Sequence, residues 1–135
     1  MITLKTLEQA SAQEVFDQVV NHLLQQGKKS QNETSGGDVL CAYRGFNGLK
    51  CAAGCLIADD EYKEWFEQRG WRDLVRDEFV PETHGMLIQE LQGVHDNAEV
   101  YAASSNIKAA FIEGLARVAD VYDLEMKDYE GMQDE

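Results

Sequence analysis

The stretch DVLCAYRGFNGLKCAA, residues 38–53, decides the fold class. Two mostly apolar runs flank the turn-forming residues 45–48, a pattern typical of a β-hairpin. A three-residue loop with Gly48 in the left-handed position would pair Gly45 with Leu49, and the same register pairs Tyr43 with Cys51. This register gathers the apolar side chains on one face of the hairpin, which would carry Val39, Cys41, Tyr43, Leu49, Cys51 and Ala53. A two-residue turn at Asn47-Gly48 would mix the two faces, so we prefer the longer loop.

Upstream of the hairpin, residues 11–27 predict an amphipathic helix. Ser11 and Glu14 have the spacing of a capping box, and Gly27 can end the helix in the left-handed conformation. Apolar residues recur between them at helical spacing, namely Val15, Phe16, Val19, Val20, Leu23 and Leu24. The polar segment 28–37 then predicts a loop.

Downstream, the apolar spacing predicts four helices, over about 59–69, 71–78, 81–93 and 105–122. In the first of these, Tyr62, Trp65 and Phe66 are expected to face inward. Residues 94–104 indicate an irregular connection. Because an isolated two-stranded hairpin is unstable in water, we expect it to pack on the first and last helices. The sequence thus predicts an α+β, mostly helical single domain over residues 1–122, followed by an acidic, flexible tail over 123–135.

The 135 residues carry 12 Lys and Arg against 25 Asp and Glu, for a formal net charge of -13. Residues 1–57 are neutral overall, whereas 58–99 hold 12 acids and 4 bases and 100–135 hold 8 acids and 3 bases. Such acidity argues against direct binding to nucleic acid or to an anionic membrane surface. The chain has no apolar run long enough for a membrane span and no pattern of a signal peptide, so we expect a cytoplasmic protein.

The concentrated acids are the feature that we expect to meet a partner. Asp60, Glu64 and Glu67 would form a stripe on one face of the helix predicted over 59–69, and Asp73 and Asp77 follow it. Carboxylates in a row can occupy the basic groove of another protein, although an ordinary solvated helix face gives the same pattern.

The hairpin tip is a second candidate contact. It carries Arg44 and Phe46, and an aromatic residue beside a base is typical of a recognition loop. The glycines around them are also what the turn itself requires. Phe46 is the residue that this simpler interpretation leaves unexplained.

A pocket between the hairpin and His95 is the alternative site, and it would involve Tyr43, Cys51, Cys55, His95 and Asp96. A Cys–His pair there would make a thiol hydrolase or a binder of nucleotide-like ligands conceivable. The C-x9-C-x3-C spacing that begins at Cys41 does not fit a zinc knuckle, and buried free thiols explain these cysteines more simply. A His-Asp pair at a helix boundary is likewise more often a hydrogen bond than a catalyst. We therefore predict no catalytic residue, metal or cofactor, and an enzyme is the less favoured interpretation.

The segments CAYRGFNGLKCAAGCLIADDEY (41–62) and LQGVHDN (91–97) resemble a family of small uncharacterised proteins of tailed phages and prophages. The resemblance covers about a third of the chain and implies a phage-type accessory protein in the host cytoplasm. It implies no catalytic residue. Together with the charge, it leads us to expect an interaction protein that inhibits or modulates another protein. The target would be a host protein, including one of host defence, or a phage protein that handles nucleic acid. The oligomeric state stays open.

Overall fold

A computed structural model describes residues 1–33, 35–98 and 106–127, and it confirms the α+β, mostly helical class. In chain order the elements are α1 (Ala12–Gln26), β1 (Gln31–Glu33), β2 (Val39–Cys41), α2 (Trp71–Arg76), α3 (Gly85–Asp96) and α4 (Ile107–Val121). Short 3₁₀ turns lie at Leu7–Gln9, Phe46–Gly48, Gly54–Leu56 and Glu64–Phe66.

The first helix forms as predicted. The Ser11 hydroxyl accepts a hydrogen bond from the Glu14 N–H, and the Glu14 carboxylate accepts one from the Ser11 N–H. Gly27 ends α1 with a φ of 64°, in the left-handed region. The six predicted apolar residues are all buried. Capping and periodicity are local properties, so the sequence alone determined this element.

The core lies where α4 packs on α3 and α1 and where α2 packs on α3. Gly114 of α4 meets Val94 of α3, and a Cβ at Gly114 would come within 2.8 Å of Val94 Cγ1. These two helices therefore approach closely because residue 114 has no side chain. None of the described helices is both long and apolar enough to span a membrane.

The hairpin lies upstream of its predicted position. β1 and β2 pair antiparallel with Gln31 opposite Cys41 and Glu33 opposite Val39, so the segment predicted as a polar loop supplies one strand. The predicted turn register is nevertheless present. Gly45 N–H donates to Leu49 O over 2.8 Å, and Arg44 and Lys50 form an isolated antiparallel bridge.

The return arm of the predicted hairpin is a buried turn instead of a strand. Residues 51–57 coil into the 3₁₀ turn Gly54–Leu56, which packs on α1. A Cβ at Gly54 would lie 2.3 Å from Tyr43 O, so glycine permits the close approach of the two arms. The expected inward face is therefore only partly correct. Tyr43, Cys51 and Ala53 are buried, but Cys41 is half-buried and Val39 is exposed.

The helix predicted over 59–69 is wrong. This segment consists of turns and the 3₁₀ turn Glu64–Phe66, and Gln68 has a φ of 64°. Phe66 is buried as expected, Tyr62 is partly buried, and Trp65 is exposed. The physical reason is that carboxylates of the segment bond to backbone N–H groups of distant loops, which hold the chain in a non-helical course.

The later helices differ from prediction mainly at their boundaries. α3 begins four residues after Pro81 and continues past Gly93 to Asp96, so residues 94–96 are helical. The start of α4 is as predicted, since the side chain of Asn106 accepts a hydrogen bond from the Ala109 N–H. Residues 99–105 of the predicted connection lie outside the described residues.

The domain extends beyond its predicted end at residue 122. Leu124 and Met126 are partly buried against the core, and the Gln13 side chain bonds to both N–H and C=O of Glu125. Residues 123–127 are therefore attached to the N-terminal part of α1, contrary to the predicted start of a flexible tail. The remainder of that tail, residues 128–135, lies outside the described residues.

Candidate functional site

His95 lies fully buried near the end of α3, and both of its ring nitrogens are hydrogen bonded. The backbone N–H of Ser30 donates to Nε2 over 2.8 Å, so Nε2 carries no proton. Nδ1 therefore holds the ring proton and donates it to Asp96 Oδ1 over 2.9 Å. The neutral imidazole links Ser30, just before the sheet, to Asp96 at the end of α3. A hydrogen bond at a helix boundary was the simpler interpretation of the His-Asp pair in the sequence.

The Asp96 carboxylate collects several donors at the edge of this network. Gln92 Nε2 donates to Oδ1 over 2.7 Å, and Cys41 Sγ lies within 4.8 Å of a carboxylate oxygen. Partial burial alone would raise the pKa of Asp96, but the interactions with His95, Cys41 and Gln92 outweigh it and hold the pKa below its usual value. Asp96 is therefore a charged acceptor at neutral pH.

Cys41, His95 and Asp96 form the one group of possible metal ligands found in the described residues, with their ligand atoms within 4.8 Å of one another. Metal binding at Nδ1 of His95 would move the ring proton to Nε2. The Ser30 N–H already points at Nε2, and two donors cannot share that contact. The donor set therefore fits a hydrogen-bond network better than a metal centre.

The three thiols do not have the properties of a nucleophile. Burial, followed by the charge of Asp96, raises the pKa of Cys41 to about 11. Burial also raises the pKa of Cys51, and it raises that of Cys55 to about 12. Because the reactive species is the thiolate, these pKa directions argue against the hypothesis of a thiol hydrolase. Cys55, moreover, lines a separate cavity with His22 and Lys50, away from the cleft beside Asp96.

A cleft of about 230 Å³ does lie where the sequence placed the alternative pocket. Its walls come from β2, the loop 67–71 and α3, and we call it the Trp71 cleft. The predicted residues Tyr43, Cys51 and Asp96 line it, and His95 lies behind them in the core. Its other lining residues are Cys41, Ala42, Glu67, Gln68, Arg69, Gly70, Trp71 and Gln92.

The predicted acidic stripe is not one continuous exposed face: Asp60 and Glu64 are exposed, but Glu67 is partly buried and bonded within the chain. Glu67 accepts hydrogen bonds from the backbone N–H groups of Tyr43 and Arg44 and from the Tyr62 hydroxyl. Glu61 similarly accepts from three backbone N–H groups, those of Leu4, Lys5 and Ala58. These carboxylates hold loops together, whereas Glu64 is exposed.

Other predicted contact residues bind within the chain. Asp60 pairs with Lys5, and Asp73 and Asp77 pair with Arg76. Exposed pairs of this kind add little stability, but they reduce the charge available to a partner.

Arg44 also binds internally. Its guanidinium bonds to Asp59 and to Ile57 O, and it lies 5.1 Å from the centre of the Tyr62 ring. Phe46, in contrast, is 70 % exposed at the tip of its turn. Of the two residues that the sequence proposed at this tip, Phe46 is the one open to a partner.

A different acidic surface surrounds residues 78–82, and we call it the Glu78 groove. It encloses about 480 Å³ and is lined by Glu8, Val75, Glu78, Phe79, Val80, Pro81 and Glu82. Three of these residues are acidic and none is basic, while the other four provide an apolar floor. Glu78 holds a left-handed φ of 64°, a conformation that is rare for a residue with a side chain.

Exposed aromatic rings border this groove. Phe79 and Trp65 are 45 % and 44 % exposed, and they pack edge to face with ring centres 4.3 Å apart. Arg69 lies over Trp65, 5.6 Å from the ring centre, so this aromatic surface already accepts a cation. Trp and Phe exposed beside a groove are typical of a contact surface.

Sequence reasoning missed Glu8, Phe79, Glu82 and Trp71 as candidate site residues. Glu8 lies some 70 positions before Glu78 along the chain, and only the folded chain brings them to one groove. Trp71, the first residue of the helix predicted over 71–78, is buried in the core. The run Glu78-Phe79-Val80-Pro81-Glu82 could have indicated this site, because three apolar residues between two acids interrupt the helical pattern.

No protein-family model matches this chain, and no curated protein or solved structure is similar to it. The resemblance to phage proteins therefore stays a prediction. The Trp71 cleft and the Glu78 groove are features of the structure that bear on function.

Proposed function

We propose that this protein binds a partner protein through the Glu78 groove and the adjoining Trp65–Phe79 pair, and that the partner presents a basic surface. The observation that carries the proposal is that three glutamates and four apolar residues line one groove, next to two exposed aromatic rings. No basic residue lines this groove. An acidic site of this shape selects a Lys or Arg side chain over an anionic one.

The chemistry of a Lys or Arg side chain matches the groove in two respects. Its aliphatic stem can cover Val75 and Pro81 while the charged head meets the carboxylates of Glu78 and Glu82. The head can also lie over the ring of Phe79, where a cation is attracted to the π-electrons. The net charge of -13 accelerates the encounter with a basic partner.

Proteins that handle nucleic acid are the class that most often carries such basic surfaces. An acidic protein seated on one would compete with the phosphate backbone. We therefore propose an inhibitor or modulator of a nucleic-acid-handling protein, of the phage or of its host.

The first test measures binding of a hexalysine peptide by titration calorimetry at low salt. The double variant Glu78→Gln/Glu82→Gln should weaken binding about tenfold, as expected when two partly screened charge contacts are lost. The matched control, Glu90→Gln/Asp120→Asn, removes the same charge from exposed sites outside the groove. It should change the affinity less than twofold.

Equal losses in the two double variants would show that the peptide responds to net charge alone, and would contradict the groove. Phe79→Ala should weaken binding by a similar factor, because aromatic anchors dominate such contacts. Affinity should fall steeply as salt rises. Retained binding of the Phe79→Ala variant with unchanged folding would exclude the aromatic part of the site.

A further inference from the structure

The cavity that Cys55 lines with His22 and Lys50 differs from the others in charge, and we call it the Lys50 cavity. It encloses about 440 Å³, within the usual range of roughly 300–1,000 Å³ for small-molecule sites. None of its lining residues is acidic, whereas four other cavities formed by the described residues each have an Asp or Glu in the wall. All of its lining residues belong to residues 1–57, the part of the chain that is neutral overall.

One wall of the Lys50 cavity is a polar face of α1. Its residues have the spacing i, i+3, i+4 and i+7, which places them on one side of the helix: Gln18, Asn21, His22 and Gln25. Gln18 is bonded internally, since its amide donates to the backbone carbonyl of Cys55. The side chains of Asn21 and Gln25 are exposed and have no hydrogen-bond partner in the described part of the chain. Their amide groups are therefore free to donate to a ligand.

Lys50 is fixed beside this wall by its backbone. Gln26 Nε2 and His22 Nε2 each donate to Lys50 O over 2.8 Å, and Gln26 Oε1 accepts from the Lys50 N–H over 3.0 Å. The side chain of Lys50 is half-buried, and within residues 1–33, 35–98 and 106–127 its ammonium forms no salt bridge or hydrogen bond. Three hydrogen bonds thus hold the residue in place while its charge stays available.

The charge of Lys50 acts on the groups that line the cavity. Burial is the main influence on the pKa of His22, which it lowers, and on the pKa of Cys55, which it raises. The positive charge of Lys50 lowers both pKa values, so the ammonium lies near two lining side chains. Asp59 is also influenced by Lys50, but its carboxylate is bound by Arg44 and does not line the cavity. The cavity therefore has a positive charge that no carboxylate of its wall compensates.

We propose that the Lys50 cavity binds a small organic anion, whose carboxylate or phosphate group pairs with the Lys50 ammonium and accepts hydrogen bonds from the amides of Asn21 and Gln25. Hydrogen bonds from a charged donor to an anion are about twice as strong as those between neutral groups, and lysine binds such anions as a point charge. The site shares no residue with the Glu78 groove. Either proposal can therefore fail without the other.

The experiment adds inorganic phosphate, acetate or acetamide at millimolar concentration to the full chain in about 0.1 M salt, where charges more than about 10 Å away are screened. Heteronuclear NMR follows the side-chain amides of Asn21 and Gln25 and the backbone amide of Lys50. At least one of the two anions should shift these resonances saturably, and the one that binds more tightly identifies the head group. Acetamide, which has the shape of acetate without its charge, should bind about tenfold more weakly than a bound anion.

Two variants test the assigned contacts, with the anion that binds more tightly as the probe. Lys50→Gln removes the charge and leaves the bonded backbone in place, so the affinity measured at the Asn21 amide should fall about tenfold. The matched control Lys63→Gln removes the same charge from an exposed residue outside the cavity and should change the affinity less than twofold. Asn21→Ala, measured at the Gln25 amide, should weaken binding about two- to fivefold for one lost hydrogen bond.

Three results would overturn the proposal. The first is the lack of a saturable shift with either anion, which would mean that the Lys50 ammonium is only solvated. The second is equal binding of acetamide and acetate where acetate is the tighter anion, because the cavity would then not select for charge. The third is an equal loss of affinity in Lys50→Gln and Lys63→Gln, which would show that the anion responds to the net charge of the chain.

Discussion

The carboxylates of Glu61, Glu67 and Asp96 and those of Glu78 and Glu82 come from the same acidic stretch of sequence, residues 58–99, yet they differ in what they contact. Those of the first group accept hydrogen bonds from backbone and side-chain donors and so fix loops and a helix end. Glu78 and Glu82 are exposed above an apolar floor. An acid count measures charge, but it does not distinguish carboxylates that stabilise the fold from those that are open to a partner.

The largest effect is expected at His95, in the hydrogen-bonded group. His95→Ala should lower the free energy of unfolding by about 3 kcal/mol or more, because it leaves a cavity and an unpaired Ser30 N–H. His95→Phe keeps an aromatic ring but loses both the acceptor for the Ser30 N–H and the donor to Asp96, so about 1–3 kcal/mol is expected. Urea unfolding measures both. If each variant lost less than about 0.5 kcal/mol, as an ordinary surface substitution does, the hydrogen bonds of His95 would not stabilise the fold.

Glu67 and Glu64 give the sharpest pairwise test, since both were predicted on one exposed stripe. Glu67→Ala should cost about 2 kcal/mol, because the N–H groups of Tyr43 and Arg44 lose a charged acceptor. Glu64→Ala should stay within about 0.5 kcal/mol of the wild type. Similar losses of unfolding free energy for the two variants in thermal unfolding would contradict the distinction between internally bonded and exposed carboxylates. Charge reversal at Glu67 is for the same reason unsuitable for testing partner binding.

At Glu78 the effect should have the opposite sign. Its left-handed backbone conformation disfavours a side chain, so Glu78→Gly should raise the free energy of unfolding by up to about 1 kcal/mol. Glu78→Ala, which keeps a Cβ, is the control and should bring no such gain. Strong destabilisation by Glu78→Gly would mean that Glu78 belongs with the structural carboxylates after all.

The smallest effect is the pH dependence from Asp96. Its pKa is lower in the folded chain than in the unfolded chain, so its contribution to stability is complete above the unfolded pKa. The contribution is lost as the pH falls through the folded pKa. Stability measured between pH 5 and 2 should therefore decline less steeply in Asp96→Asn than in the wild type. Parallel profiles would show that the network does not favour the charged carboxylate.

Much of the fold was predictable from local signals. The capping box, the left-handed Gly27 and the apolar spacing determined α1, and Asn106 determined the start of α4. The turn register around Gly45 and Leu49 was also correct, because a short loop fixes its own pairing. Tyr43, Cys51 and Asp96 of the predicted pocket line one cleft, whereas Cys55 and His95 do not, and ligand binding there stays a prediction.

The course of residues 51–69 could not be predicted in the same way. Their apolar and acidic spacing is compatible with a strand and a helix, which are the elements that local periodicity favours. In the folded chain, Glu61 bonds to backbone N–H groups 56 and 57 positions away, and Glu67 bonds to groups 23 and 24 positions away. Gly54 packs against the backbone of Tyr43. Such bonds depend on which distant donors the fold brings near, and no local pattern records them.

The sequence by itself determined the helical elements at both ends of the domain and the net charge, because these depend on neighbouring residues or on composition. The tertiary structure decided which carboxylates are bonded within the chain, and that Glu8 joins Glu78 and Glu82 in one groove. It also buries the indole N–H of Trp71 with no acceptor among the described residues. The physical reason is that the environment of a polar group, its donors, acceptors and exposure, is set by residues far away in sequence.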